Sequence, residues 1–316
     1  MEPYLKCLKI MNNSTFQTDK NILLTASKLF VKMCTMRYTF KDFKTEYPDD
    51  QACLVSVLEN RFSNTCPRCG VVGVTFHPIT GRKGFVCSEC DRHIYPLKDT
   101  IFQKSSTSLW NWFYAIYLFS VAKNGVSAKE LERHLGVTYK TAWRMCKQIR
   151  KLMEQEDDQL NGDVEVDETY APSRKHTRLE GRSKKQIIFG AVERDGLAKV
   201  KHVKSSGARV LLAEIDEGIA KGASTYSDEW QAYKTLPKRG YTHATVNHSK
   251  LEYVRGTAHT NTIEGFWSQL KRSIDGTYHA VSPKYLQTYV NEFVFRYNLR
   301  HVSIAPVLLE RAGMRV

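Results

Sequence analysis

No stretch of this 316-residue sequence stays apolar for long enough to cross a bilayer. The most apolar run, Leu109 to Ala122, is interrupted by Asn111 and Ser120, whereas a spanning helix needs about 20 mostly apolar residues. A secretory pattern is missing from the N-terminus as well. These absences argue against a helical membrane protein and a secreted one, and we expect a soluble cytoplasmic protein with no membrane partner. Negative charge is in short supply. The 33 Asp and Glu residues face 47 Lys and Arg, a formal charge of +14. An excess of that size points to a polyanionic partner, most often nucleic acid. A disulfide framework is also lacking. Of the eight cysteines, Cys7, Cys34, Cys53 and Cys146 are scattered and the other four form two tight pairs. That pattern suits metal binding in a reducing compartment.

What is present falls into blocks, and the chain is long enough to bury a substantial core. Residues 1–36 are weakly patterned and receive no assignment. Residues 37–63 read as a helical lead-in, with Phe40, Phe43, Cys53, Leu54, Val57 and Leu58 as its apolar positions. Cys66-Pro67-Arg68-Cys69 and Cys87-Ser88-Glu89-Cys90 follow, with seventeen residues between the pairs. Four thiolates complete a tetrahedral Zn²⁺ shell with no open position, which is a structural site. Two short β-like runs lie between them, around Pro78 and Gly81, so residues 64–100 read as a zinc ribbon. His77 and His93 are bystanders to a shell that the thiolates already fill.

Residues 101–156 turn helical. Trp110, Trp112, Phe113, Ile116, Tyr117 and Phe119 make a dense apolar helix that belongs in a core. Ser127 to Glu130 has the form of a capping box, Leu135-Gly136-Val137 is a tight turn, and Thr138 opens a helix to about Met153. Two helices around a glycine turn, the second basic, suggest a helix-turn-helix. Tyr139, Lys140, Arg144 and Lys147 are its candidate DNA-facing residues. A second basic run, Arg174 to Lys185, carries six Lys and Arg.

The polar stretch Glu154 to Gly162 is the expected domain boundary. Beyond it Val164 to Tyr170 alternates as a strand, with Val164 and Val166 on one side and Glu165 and Asp167 on the other. Ile187 to Val192 and Ala198 to Val203 flank a turn and form a hairpin. An amphipathic helix from Arg209 to Ala220, strands at Ser224–Asp228 and Thr242–Asn247, and a long aromatic helix from Ser282 to Arg300 complete a mixed α/β sheet. Ahead of that last helix, His259 to Arg272 places Ile263, Phe266, Trp267 and Leu270 on one helical stripe. Glu264 and Lys271, two turns apart, flank the stripe. Asn261 as N-cap with Glu264 three residues on is close to a capping box. An acidic residue on the first strand, Asp228 ending a later one and Glu264 on a helix form an ordered carboxylate set. Alternation alone leaves Glu165, Asp167 and Glu168 open as its first member. Such a set can hold two Mg²⁺, or Mn²⁺, for in-line phosphoryl transfer.

From about Tyr38 to Arg300 the sequence resembles bacterial insertion-sequence transposases with an N-terminal zinc ribbon and an ISXO2-like DDE domain. The matching pieces are Tyr38 to Phe43, both cysteine pairs, Gly136 to Met145, Val164 to Tyr170, Tyr226-Ser227-Asp228 and His259 to Arg272. The resemblance implies a multidomain protein whose residues 162–300 form a ribonuclease H-like α/β domain, followed by a tail over 301–316. It implies Asp167, Asp228 and Glu264 as Mg²⁺ ligands, with Asn261 as the alternative third. Lys271 and Arg272 are the expected DNA contacts beside them. The implied activity is cleavage and transfer of double-stranded DNA at terminal inverted repeats, by a homo-oligomer assembled on DNA within the nucleoid. Two rivals remain: a non-catalytic DNA-binding protein derived from a transposase, and a junction resolvase on the same fold.

Overall fold

The computed structural model describes residues 38–155, 158–171, 186–247, 252 and 254–314, so residues 1–36 and the basic run Arg174 to Lys185 lie outside the described residues. The chain divides into two compact units, one of residues up to Ala122 with Ala128–Leu152 and Leu299 onward, the other of Lys123–Ser127 and Met153–Asn298.

The first unit opens with α1 (Phe40–Glu46) and α2 (Asp50–Phe62). Thr39 and Asp42 cap α1 reciprocally, each side chain accepting the other's N–H. Asp49 caps α2, accepting from Ala52 N–H at 2.8 Å. A small antiparallel sheet follows in the order β1 (Phe76–Pro78), β2 (Phe85–Cys87), β3 (His93–Ile94). The apolar run becomes α3 (Leu109–Val121), burying Trp112, Phe113, Ile116 and Phe119. Asp50 ties α2 to α3: its carboxylate accepts the N–H groups of Leu109 at 3.1 Å and Trp110 at 2.7 Å. Next come α4 (Ala128–Leu135) and α5 (Tyr139–Lys151). They are joined through Gly136 at φ +62°, a conformation that suits glycine. Thr138 caps α5 as its position implied.

In the second unit, β4 (Asp163–Tyr170), β5 (Ile187–Glu193) and β6 (Ala198–Val203) run antiparallel. After α6 (Ala208–Gly218), β7 (Ser224–Ser227) pairs parallel to β4, and β8 (Thr242–Thr245) parallel to β7. The sheet order is β6-β5-β4-β7-β8, a mixed sheet as the sequence implied. A two-stranded ribbon, β9 (Val254–Arg255) and β10 (Ala258–His259), leads into α7 (Asn261–Ser273), and α8 (Leu286–Asn298) follows. Helices cover both faces. Val164, Val166, Phe189 and Ala191 pack with Leu211, Leu212 and Ile215 of α6. Ile188, Val192, Ala198 and Val200 pack with Ile263, Phe266, Trp267 and Leu270 of α7 and Val290 and Val294 of α8. Each fully buried aliphatic or Phe side chain contributes about 1.5–3 kcal/mol. A one-residue slip of β4 would drive Glu165 and Asp167 into the α6 core, so the valines fix the register that aims both carboxylates at the α7 side.

Two expectations change. The long aromatic helix starts at Leu286 rather than Ser282, after a short 3₁₀ turn over Pro283–Tyr285. Residues 301–316 are not a tail: they hold α9 (Ile304–Gly313), which packs on α2 and α3. Ala305, Val307, Leu308, Leu309 and Ala312 are buried there, and Arg311 donates to Leu152 O at 2.9 Å. Among the described residues no helix is long and apolar enough to cross a membrane.

Candidate active site and metal centre

The two cysteine pairs converge. Cys66 and Cys69 lie before β1, and Cys87 closes β2 with Cys90 just beyond. All four Sγ atoms lie within 4.8 Å of one another, and Cys66 and Cys90 Sγ are 3.9 Å apart. Thiolates at about 2.3 Å from a tetrahedral Zn²⁺ would be about 3.8 Å apart, so this cluster fits the ion. The N–H groups of Arg68 and Glu89 point at Cys66 and Cys87 Sγ, both at 3.4 Å. Burial opposes ionisation of Cys66, but the N–H groups of Cys69 and Arg68 outweigh it and bring the thiol down to about 7. An N–H from Arg92 favours the Cys90 thiolate, yet burial and the three neighbouring cysteines push that thiol up to about 12. Crowded sulfurs that cannot all ionise alone are what a dication relieves.

The carboxylates gather differently. Asp167 and Glu168 sit next to each other on β4, and Asp228 follows the last residue of β7. Since β4 and β7 are parallel neighbours, their C-terminal ends face one rim of the sheet. Asp167 is pushed up to about 7, first by burial, then by the negative charges of Glu168 and Asp228. The Trp267 indole, donating to Asp167 Oδ2 at 2.9 Å, opposes that shift. Glu168 is also raised, by burial and by Asp228, although it accepts from the Tyr233 hydroxyl at 2.5 Å. Asp228 Oδ1 accepts the Trp230 N–H at 3.0 Å. Carboxylate oxygens are the donor type that Mg²⁺ and Mn²⁺ take.

Glu264 lies on the helix whose Trp267 touches Asp167. Among the described residues, only the four cysteines form a set of three or more possible ligands with all atoms within 4.8 Å. Glu264 is exposed on the first turn of α7, and Thr260 Oγ1 donates to its Oε1 at 2.8 Å. One turn further, Trp267 touches Asp167. Trp267 can come that close because Gly190 faces Asp167 across the β4–β5 ladder. A Cβ on Gly190 would meet the Trp267 ring at 2.5 Å. Lys271 is half-buried one turn beyond Trp267, and Arg272 is exposed with its Nε donating to Ser268 O at 3.3 Å.

The expected capping box at Asn261 is not formed. Asn261 is the first helical residue, and Thr260 takes the cap position without a side-chain cap bond. The free N–H groups of Thr262 and Ile263 are satisfied instead by Glu165 Oε2, at 2.8 and 3.0 Å. Glu165 is fully buried and also binds Arg194 Nε at 2.8 Å. Removing one partner from such a buried pair typically costs about 3–5 kcal/mol. Sequence reading missed this role because the cap lies on a strand far from the helix it caps. It also missed Trp267 and Tyr233 as neighbours of the acidic group.

In the first unit, Tyr139, Lys140 and Lys147 are exposed on α5, with Lys129 Nζ 4.9 Å above the Tyr139 ring. Arg144 is half-buried on the same helix. Its guanidinium donates to Ser105 Oγ at 3.0 Å and lies 5.5 Å from the Trp112 ring centre, so packing already holds it.

Residues 159–298 match the ISXO2-like transposase domain family. The chain is 27% identical over 267 residues to an uncharacterized protein in transposable element ISH50 of Halobacterium salinarum, covering 78% of this chain and 89% of that protein. A chain of the simian T-cell lymphotropic virus intasome in complex with PP2A regulatory subunit B56 gamma aligns at 15% identity and a TM-score of 0.28. That alignment covers 56% of this chain and 63%, less than two thirds, of the other.

Proposed function

We propose that this protein, whose residues 159–298 match the ISXO2-like transposase domain family, is a DNA transposase that cuts and rejoins phosphodiester bonds at the terminal inverted repeats of an insertion sequence. The observation that carries the reading is the crowding of Asp167, Glu168 and Asp228 at one rim of the sheet. In this reading the sheet of the second unit is ribonuclease H-like, and its domain spans residues 162–300. Asp167, Asp228 and Glu264 would hold two Mg²⁺ or Mn²⁺, with Asn261 as the alternative third ligand. Such ions, when bound, activate the attacking oxygen and stabilise the leaving one. The chain's own residues do the placing. Asp167 and Asp228 offer oxygens from adjacent strands, Trp267 orients the Asp167 carboxylate, and Glu264 exchanges the Thr260 hydroxyl for the site. Lys271 and Arg272 meet the phosphates of bound DNA. A zinc ribbon over 64–100 and a helix-turn-helix over 101–156 bind double-stranded DNA, through Tyr139, Lys140, Arg144 and Lys147. The protein acts as a homo-oligomer on DNA in the nucleoid.

The test uses end-labelled duplex DNA carrying the element's terminal repeats, with Mg²⁺. Wild-type protein should nick at the element end and join that end to a target, whereas Asp167→Asn should bind and not cut. Binding without cutting in either Mg²⁺ or Mn²⁺ would overturn the enzyme in favour of a DNA-binding protein. Cutting of branched DNA without repeat preference would indicate a resolvase.

A further inference from the structure

Glu165 lies two residues before Asp167 on the same side of β4, yet its oxygens are fully committed to other groups. Oε1 is 2.8 Å from Arg194 Nε, 3.0 Å from His259 Nδ1, and accepts from Thr262 Oγ1 at 2.9 Å. Oε2 accepts the N–H groups of Thr262 and Ile263 at 2.8 and 3.0 Å. One buried carboxylate thus joins the end of β5, the end of β10 and the first turn of α7. Arg194 extends the junction, donating to the carbonyls of Thr257 at 2.9 Å and His259 at 3.0 Å. Its guanidinium also lies 4.0 Å from the ring centre of Tyr226, on the strand that delivers Asp228.

A helix N-terminus is usually capped by its own flanking residue. Here the cap comes from a strand 97 residues earlier, the strand that also carries Asp167. The Arg194 guanidinium and the N-terminal end of the helix dipole both suit a carboxylate at this position. The carboxylate therefore sets where α7 starts relative to β4. Glu264 lies within that first turn. We propose that Glu165, braced by Arg194, is a positioning residue that fixes the spacing between Asp167 and Glu264 while touching neither cation nor DNA. The assignment rests on the transposase reading of the site above.

The experiment measures Mn²⁺ binding to full-length, zinc-loaded protein by the electron paramagnetic resonance of free Mn²⁺. Wild type, Glu165→Gln, Glu264→Gln and the double variant are compared, with zinc content and circular dichroism reporting the fold. Glu165→Gln should stay folded and bind Mn²⁺ at least tenfold more weakly. In the Glu264→Gln background the same change should weaken binding no further, because Glu165 acts through Glu264. Arg194→Lys keeps the charge but loses the fork to both carbonyls, and should give a smaller loss in the same direction. Should Glu165→Gln fail to fold, Arg194→Lys with Glu264→Gln completes the same cycle. Binding by Glu165→Gln equal to wild type overturns the proposal, and so does a loss that adds fully to that of Glu264→Gln. A wild-type protein that binds no Mn²⁺ overturns the metal-site reading itself, a result distinct from equal binding by wild type and variant.

Discussion

The sulfur cluster of the first unit and the carboxylates proposed above as ligands in the second are assembled in opposite ways. The four cysteines come from two short turns, and all their sulfurs already lie within 4.8 Å of one another. The carboxylates come from two strands and a helix. Asp167 and Asp228 repel each other, while Glu264 is held by Thr260. Local turns can preassemble a closed shell. A site that must admit a substrate phosphate keeps its ligands on separate elements, and its geometry then depends on how those elements are anchored. The difference predicts that the first site fails as a fold and the second as chemistry.

The largest expected effect is at Asp167. Asp167→Asn should cut strand cleavage by about a thousandfold, near 4 kcal/mol at 1.36 kcal/mol per decade, while zinc content and repeat binding persist in gel-shift assays. The same variant gives a thermodynamic signature in zinc-loaded protein free of Mg²⁺ and Mn²⁺. The folded state keeps a proton on Asp167 up to a pH of about 7, from an ordinary value of 3.8. The unfolded chain releases that proton earlier, so wild-type stability falls as pH rises from about 4 to 7 and levels off above. Asp167→Asn should remove that slope and stabilise the fold without Mg²⁺ or Mn²⁺ at pH 8 by on the order of 3 kcal/mol. Urea melts at pH 5 and pH 8 measure it, and equal pH slopes for both proteins would contradict it.

A step smaller, Glu264→Gln should lower cleavage by at least about a hundredfold, the upper end of what losing a mere supporting contact costs. Asn261→Ser should leave activity within a few-fold of wild type, since Asn261 is exposed and does not cap its helix. Reversed phenotypes would make Asn261 the third ligand. On the other side of the comparison, Cys87→Ser should release zinc and weaken repeat binding on the order of tenfold, because folding of such small domains is coupled to metal. Full site-specific binding by a zinc-free variant would sink that. The smallest effect is structural. Gly190→Ala puts a methyl into the Trp267 ring and should cost about 1–3 kcal/mol by overpacking, seen as a lower Tm and altered tryptophan fluorescence. An unchanged melt would mean that Trp267 does not rest on Gly190.

How much of this was legible in the sequence follows from range. The paired cysteines, the alternation of Val164 to Asp167 and the hairpin after Ile187 are short-range patterns, and each appears in the structure where the spacing put it. Alternation says which way Glu165 points but not what meets it. Its partners Arg194, His259 and Thr262 are distant in the chain, so the local explanation, a capping box at Asn261, was the wrong one. Arg144 reads as a surface charge on a basic helix, and only packing against Ser105 and Trp112 reveals its tether. Residues 304–313 carry a helical stripe of Ile304, Val307, Leu308 and Ala312, but pattern alone does not name the face that α9 covers.

That last helix sets the order of events at the ribosome. Domains generally fold as they emerge, N-terminal first. The first unit cannot do so here, because α9 is made only after the whole second unit. Until then the faces of α2 and α3 that α9 covers are open, and the nascent chain carries an unfinished N-terminal unit. A message cut short before residue 304 would therefore yield a protein damaged at its beginning as well as its end.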